Sequence, residues 1–204
     1  MLHEDGKIIV NGADAASSDD VIFVSDSGVR IVRGGKGDDF VTVEGSKVGS
    51  VFTGKGDDTV IISGGSEVEA VQSGSGDDII TIRDSSVRRM STGSGDDTII
   101  INPGDRYFTC VIDGMKGNDR VIYKVGKGGG HIVFRGGEGC DALCIDSSSC
   151  NNFAVYTKKG SLIYKSEGFS DNNATKFIVK DVEILSVADS DGSAPKAVEI
   201  KNKK

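Results

Sequence analysis

Six aspartates, Asp39, Asp58, Asp78, Asp97, Asp119 and Asp141, each stand two residues after a glycine, at spacings of 19, 20, 19, 22 and 22. Carboxylates that recur at a fixed period suit the binding of hard cations through oxygen. If each period is one coil of a stack, the six side chains form a column. Two bare carboxylates about 5 Å apart repel by roughly 3 kcal/mol at an effective dielectric of 20. Such a column needs protonation, basic partners or bound cations. Protonation near neutral pH requires strong burial. Basic partners are few: Lys36, Lys55 and Lys116 stand in the loops, but Ser75 and Ser94 replace them in the middle units. A cation fits best, and carboxylates with loop carbonyls make an all-oxygen cage that suits Ca²⁺.

The elements that must position this column are legible in the same repeat. Six periods of near-constant length, with a seventh unit upstream ("SSDDVIFV", Ser18 in the glycine slot and Asp20 in the aspartate slot), indicate a solenoid. After each aspartate an alternating β-branched run predicts a strand with inward pairs Ile22/Val24, Val41/Val43, Val60/Ile62, Ile80/Ile82, Ile99/Ile101, Val121/Tyr123 and Leu143/Ile145. A second strand precedes each glycine loop. Counting back three residues from its first glycine predicts Ile31, Val51, Val71, Met90, Val111 and Val133 as inward. Counting back six predicts Val48, Val68, Val87 and Phe108, with Gly28 and Gly130 breaking the rule. A spacing of three cannot hold one face of a flat strand, so a corner or bulge is expected between the two positions. Glycine pairs interrupt every unit and leave no amphipathic run of helical length. The expected fold is all-β: a right-handed parallel β-roll or β-helix solenoid of about seven coils with β caps.

"GGKGDDFVT" (Gly34–Thr42) and "GGEGCDALC" (Gly136–Cys144) match the nonapeptide G-G-x-G-x-D-x-U-x, with U a large apolar residue. Residues 18–146 thereby resemble the RTX (hemolysin-type) calcium-binding repeats of secreted bacterial proteins. The resemblance implies a parallel β-roll with Ca²⁺ between the loops of successive turns. Carried over, the ligands are Asp39, Asp58, Asp78, Asp97, Asp119 and Asp141. The loop glycines that go with them are Gly35, Gly37, Gly54, Gly56, Gly74, Gly76, Gly93, Gly95, Gly117, Gly137 and Gly139. The chain departs from the family pattern in several places. The nonapeptide occurs once per period rather than twice, so one ion column is expected, not two. Thr53, Ser73 and Thr92 replace the first glycine in the middle units, "GMKGNDRVI" is irregular, and "SSDDVIFV" lacks glycines. The preceding aspartates Asp38, Asp57, Asp77 and Asp96 are expected to make Asx-type turns or to face solvent.

The whole chain has 204 residues with 29 glycines, 2 prolines and a net charge of −7. That charge disfavours nucleic acid as a partner, and no apolar run is long enough for a membrane span. The start, "MLHEDGKIIV", has no basic stretch followed by an apolar one, so no cleavable signal is expected there. The resemblance implies a secreted or extracellular location all the same. The segments read as an N-terminal cap (1–17, with "GKIIVNG" as a cap strand), the repeat (18–146), a C-terminal β cap (147–187) and a tail (188–204). In the cap the period is lost, "NNFAVYTKKGSLIYKS" reads as a hairpin, and "TKFIVKDVEILSV" reads as one or two strands.

Cys110, Cys140, Cys144 and Cys150 lack metal-site spacing and read as small core or surface residues, with a C-terminal disulfide as the alternative. Catalysis has little support. His3 is expected in a frayed terminus and His131 at a strand edge, and no nucleophile elbow or zinc motif occurs. Two other readings stand beside calcium-coupled folding. One is a polysaccharide lyase or glycan-binding module, with Arg83, Arg88, Arg89, Arg106 and Arg120 as outward candidates. The other is a metal-free adhesin or effector that meets a glycan or host surface protein through an outer apolar stripe of Phe23, Phe40, Ile61, Ile79, Ile100 and Ile122.

Overall fold

The computed structural model describes residues 2–4, 7–11, 19–146, 153–158, 161–166, 175–182, 184–188 and 196–199. It is a parallel β-solenoid with no helix among the described residues, so none could cross a membrane. Six coils each pair a nine-residue strand with a five-residue strand. They are β4 (Gly28–Lys36) with β5 (Phe40–Glu44), β6 (Lys47–Lys55) with β7 (Thr59–Ser63), β8 (Glu67–Ser75) with β9 (Ile79–Arg83), β10 (Ser86–Ser94) with β11 (Thr98–Asn102), β12 (Phe108–Lys116) with β13 (Arg120–Lys124), and β14 (Gly130–Glu138) with β15 (Ala142–Asp146). Long strands stack on long and short on short, which builds an 11-stranded and a 9-stranded sheet. Before them, β2 (Lys7–Asn11) and β3 (Val21–Ser25) join the two sheets in parallel, and β1 (Leu2–Glu4) folds back antiparallel on β2. His3 lies in β1 opposite Ile8 rather than in a frayed end.

Register follows the repeat residue for residue. Val41, Val60, Ile80, Ile99, Val121 and Leu143 are successive lateral neighbours in the short-strand sheet. All seven expected inward pairs are buried. A one-residue slip would turn every one of these β-branched side chains to water, and that holds the stack in register.

The long strands correct one expectation. Val32, Val51, Val71, Met90, Ile112 and Phe134 are the buried residues at this level, whereas the expected Ile31, Val111 and Val133 are half-buried and lie one position before the column. In those three units the count began at Gly34, Gly114 and Gly136, which sit one slot before Gly54, Gly74 and Gly93 in the loop. Val29, not Gly28, continues the column of Val48, Val68 and Val87. In β4, β6, β8 and β10 two consecutive residues turn away from the core between the inward positions, and the pairing of these four strands runs through without a register shift, so the feature is a corner rather than a bulge. β12 and β14 alternate regularly instead.

The period does not end at Ile145. β18 (Thr175–Lys180) and β19 (Ile184–Ala188) stack in parallel on β14 and β15, pairing Ile178 with Val133 and Leu185 with Leu143. Here the loop carries no glycine–aspartate repeat, so the sequence pattern hides a further coil. The hairpin of β16 (Phe153–Lys158) and β17 (Ser161–Ser166) has the expected antiparallel pairing and adds to β18. β20 (Lys196–Glu199) adds antiparallel to β19. Antiparallel additions at the last coil cover backbone edges that would otherwise be open to pairing. Cys150, Ser18 and most of the expected tail lie outside the described residues.

Candidate metal centre

The glycine–aspartate loops join each long strand to the following short strand, so they all fall on one edge of the solenoid. Eleven glycines expected there, from Gly35 to Gly139, have positive φ. Gly54 (φ 118°) and Gly74 (φ 117°) show why the residue must be glycine. A Cβ on Gly54 would strike the Gly35 carbonyl, and one on Gly74 the Gly54 carbonyl. The loop turns left-handed and packs its backbone directly on the loop below. The Met115 slot is the exception: a methionine takes φ 79° where its neighbours are glycine.

This stacking brings the six expected aspartates together. Asp39, Asp58, Asp78, Asp97, Asp119 and Asp141 are all at most 2% exposed. They are linked by a ladder of backbone-to-side-chain bonds. The N–H of Asp39 donates to Oδ1 of Asp58 at 2.8 Å, Asp58 to Asp78 at 2.8 Å, Asp78 to Asp97 at 2.8 Å, Asp97 to Asp119 at 3.1 Å and Asp119 to Asp141 at 2.8 Å. Asp20 donates to Asp39 at 2.9 Å but is itself only half-buried, so it opens the ladder rather than joining the buried set.

Each Oδ1 is thus satisfied, whereas the Oδ2 atoms of Asp39, Asp58, Asp78, Asp97 and Asp119 are buried without a hydrogen-bond partner. No ion pair among the described residues reaches these five carboxylates. Lys36, Lys55 and Lys116 stay exposed. Burial pushes the carboxyls of Asp58, Asp78, Asp97 and Asp119 up to about 6, and that of Asp39 upward as well. The N–H bonds oppose the rise, and neighbouring aspartates add to it. A folded-state value above the unfolded one means that protons favour folding. Without a cation, this contribution is complete below about pH 4 and lost as pH rises through about 6.

Three hydroxyls that the sequence marked only as departures belong to the same column. Thr53, Ser73 and Thr92 are buried, and each donates at 3.0 Å to a carbonyl of the next coil: Ser73, Thr92 and Gly114 respectively. They sit beside Asp58, Asp78 and Asp97 and pull those carboxyls downward. A hydroxyl has one proton, however, and when it serves the carbonyl it leaves Oδ2 without a donor. Where the slot holds Gly34 or Gly114, Oδ2 of Asp39 or Asp119 fills the space that a Cβ would take, close to the Thr53 or Gly136 carbonyl. The signal in the sequence was a small polar or absent side chain at one fixed slot.

The outer aspartates form a second ladder that runs the opposite way. Asp57 donates to Oδ1 of Asp38, Asp77 to Asp57, Asp96 to Asp77 and Asn118 to Asp96, at 2.7–2.8 Å. These side chains are exposed, as expected of turn-forming residues. The opposite edge of the solenoid carries Ser46, Ser66 and Ser85, whose hydroxyls accept N–H groups of neighbouring coils at 3.1 Å. Among the described residues, the column of buried aspartates therefore lies on one edge only, while the opposite-edge aspartates Asp26 and Asp84 are exposed.

The residues fit a hard cation in type. Several buried oxygens lack a donor, they repeat down the stack, and no basic side chain offsets them. Among the described residues no three Asp, Glu, His or Cys side chains converge. An ion would have to draw on two carboxylates of successive coils and on backbone carbonyls for the remaining oxygens. The arginines of the lyase reading do not converge. Arg83 and Arg120 lie on the short-strand sheet, Arg88 and Arg89 on the long-strand sheet, and Arg106 in a turn. Cys110 is a buried thiol that burial pushes up in pKa, and Cys140 and Cys144 are also free. On the outer face of the short-strand sheet Phe23, Phe40 and Ile79 are exposed, whereas Ile61, Ile100 and Ile122 are half-buried.

Comparison with protein-family models, with curated proteins and with solved structures gives no match to this chain.

Proposed function

We propose that this chain is a calcium-binding β-solenoid domain of a secreted bacterial protein, in which Ca²⁺ binding is coupled to folding. The observation that carries the reading is the column of buried aspartates, in which the Oδ2 atoms of Asp39, Asp58, Asp78, Asp97 and Asp119 have neither donor nor counter-charge. Asp39, Asp58, Asp78, Asp97, Asp119 and Asp141 would hold the ions, with carbonyls of the glycine loops completing the oxygen set. When bound, the metal supplies positive charge that offsets carboxylate repulsion and removes the cost of ionising buried acids.

The chain's own residues do the rest. The Oδ1 ladder fixes the carboxylates in line, the hydroxyls of Thr53, Ser73 and Thr92 tie neighbouring coils together, and the glycines let the loops close-pack. A site that exists only when coils are stacked converts binding energy into folding energy. The domain would fold where Ca²⁺ is plentiful outside the cell and stay less ordered where it is scarce. The folded stack then presents its outer faces as binding surfaces. Calcium titration followed by far-ultraviolet circular dichroism tests the reading. Strand signal and melting temperature should rise with Ca²⁺ and fall with a chelator. Identical spectra and melting in the two conditions would remove the proposal.

A further inference from the structure

Two of the coils are three residues longer than the first, and the added residues build something. The turn between β11 and β12, Pro103–Tyr107, closes with Arg106 N–H donating to the Pro103 carbonyl and with Gly104 N–H donating to Asn102 Oδ1, both at 3.3 Å. It leans back across its neighbours. Nη2 of Arg106 lies 3.2 Å from the Cβ position of Gly65, in the turn two coils earlier. The next turn, 125–129, braces it from behind. Side chains on Gly126 and Gly128 would collide with the backbone of Gly104 and of Asp105–Arg106. Phe108 N–H donates to Gly129 at 3.1 Å and fixes the two turns together.

The braced turn holds Tyr107 at the margin of a groove of about 600 Å³ on the outer face of the long-strand sheet. Tyr107 is 61% exposed although its position is supported on two sides. The floor crosses β6, β8 and β10 and offers two rows of polar side chains, Lys47, Glu67 and Ser86 in one and Glu69 and Arg88 in the other. Lys47 Nζ meets Glu67 Oε2 at 3.1 Å, and Arg88 Nη1 meets Glu69 Oε1 at 3.2 Å. Gly49 lies in this floor too, and a Cβ there would crowd the Arg30 carbonyl, so the backbone is bare at that point.

We propose that this groove binds a neutral oligosaccharide. An exposed aromatic ring at the margin offers a flat apolar face to the C–H face of a pyranose, and the two ion pairs of the floor offer donors and acceptors to its hydroxyls. The volume lies within the range of ligand sites. The Glu69–Arg88 pair is displaced from the Lys47–Glu67 pair by one strand, about 4.8 Å, and by two residues along the strand, about 7 Å, so the two pairs sit diagonally across the floor, where one extended chain of sugars can meet both. Two cations and two carboxylates leave the floor without net charge, and the whole chain carries −7. A polyanionic glycan therefore gains no attractive field here. The inference concerns a face remote from the glycine–aspartate edge and does not depend on what fills the acidic column.

The test is isothermal titration of the full chain in calcium-containing buffer. The probes are neutral hexaoses of 1,4-linked glucose, mannose and xylose, with a hexamer of galacturonate as the charged control. At least one neutral hexaose should bind more tightly than galacturonate. Tyr107→Ala and Arg88→Ala should each weaken binding about tenfold or more, the equivalent of about 1.4 kcal/mol, while Tyr107→Phe keeps it. Both positions are exposed, and circular dichroism of each variant verifies that the solenoid is intact. No binding of any neutral hexaose, a preference for galacturonate, or affinity unchanged in well-folded Tyr107→Ala would each overturn the proposal.

Discussion

Asp78→Asn is the perturbation that separates an ion column from a purely structural one, because its effect should change sign with calcium. Asp78 Oδ1 accepts the N–H of Asp58 at 2.8 Å, and an asparagine oxygen can keep that bond. What the substitution removes is the charge on a side chain only 1% exposed. Its carboxyl is pushed from 3.8 up to about 6. At about 1.4 kcal/mol per pKa unit, keeping it ionised at pH 8 without a cation costs about 3 kcal/mol. The new amide nitrogen needs a partner in the same place, which takes back about 1–2 kcal/mol. In chelator the variant should therefore be more stable than the parent by about 1–2 kcal/mol. That corresponds to a rise of about 2–8 °C in melting temperature for a chain of this size. In millimolar calcium the order should reverse, because the variant has lost a charged ligand. Asp77→Asn, on the exposed outer ladder, should stay within about 0.5 kcal/mol of the parent in both buffers. Urea unfolding of the three proteins in the two buffers gives the answer. Equal destabilisation of Asp78→Asn with and without calcium would refute the reasoning, since only lost hydrogen bonding could then be at work.

In chelator, stability should fall as pH is raised from about 4 to about 7, because the raised values of Asp58, Asp78, Asp97 and Asp119 make protons stabilising. Calcium should flatten that profile, and melting curves across the range would show it. Gly74→Ala combines φ 117° with a Cβ pressed on the Gly54 carbonyl. It should cost more than about 3 kcal/mol or abolish folding, read from soluble yield and urea midpoint. Met115→Gly should do the reverse and raise stability by about 1 kcal/mol, since it relieves a left-handed methionine. Thr92→Val should cost about 1–3 kcal/mol by leaving the buried Gly114 carbonyl without its donor, an effect that denaturant unfolding resolves.

Much of this architecture was legible because a solenoid writes one coil many times. The short strands could be read residue by residue, since alternation in Val60/Ile62 or Ile99/Ile101 is strict and the burial follows it. The aspartate column followed from period alone. The long strands were harder, because a corner breaks the alternation and the first glycine of a loop is not always the same slot. That is why Ile31, Val111 and Val133 were displaced from Val32, Ile112 and Phe134. The coil of β18 and β19 was hidden because the short connection that starts at Asp181 replaces the glycine–aspartate loop and the hairpin interrupts the period. The opposed directions of the two aspartate ladders could not be read from "GDD" at all. Both residues are identical in type, and only the left-handed turn decides which one points inward. The role of Thr53, Ser73 and Thr92 was masked for a related reason. A hydroxyl in a glycine slot looks like loss of a motif until its bond to the next coil is seen.

The most direct test is a crystal grown in millimolar calcium, with anomalous difference density recorded at a wavelength where calcium scatters strongly. The account predicts peaks at the glycine–aspartate edge, next to the Oδ2 atoms of Asp58, Asp78 and Asp97. Well-ordered loops with no density between successive carboxylates would contradict it.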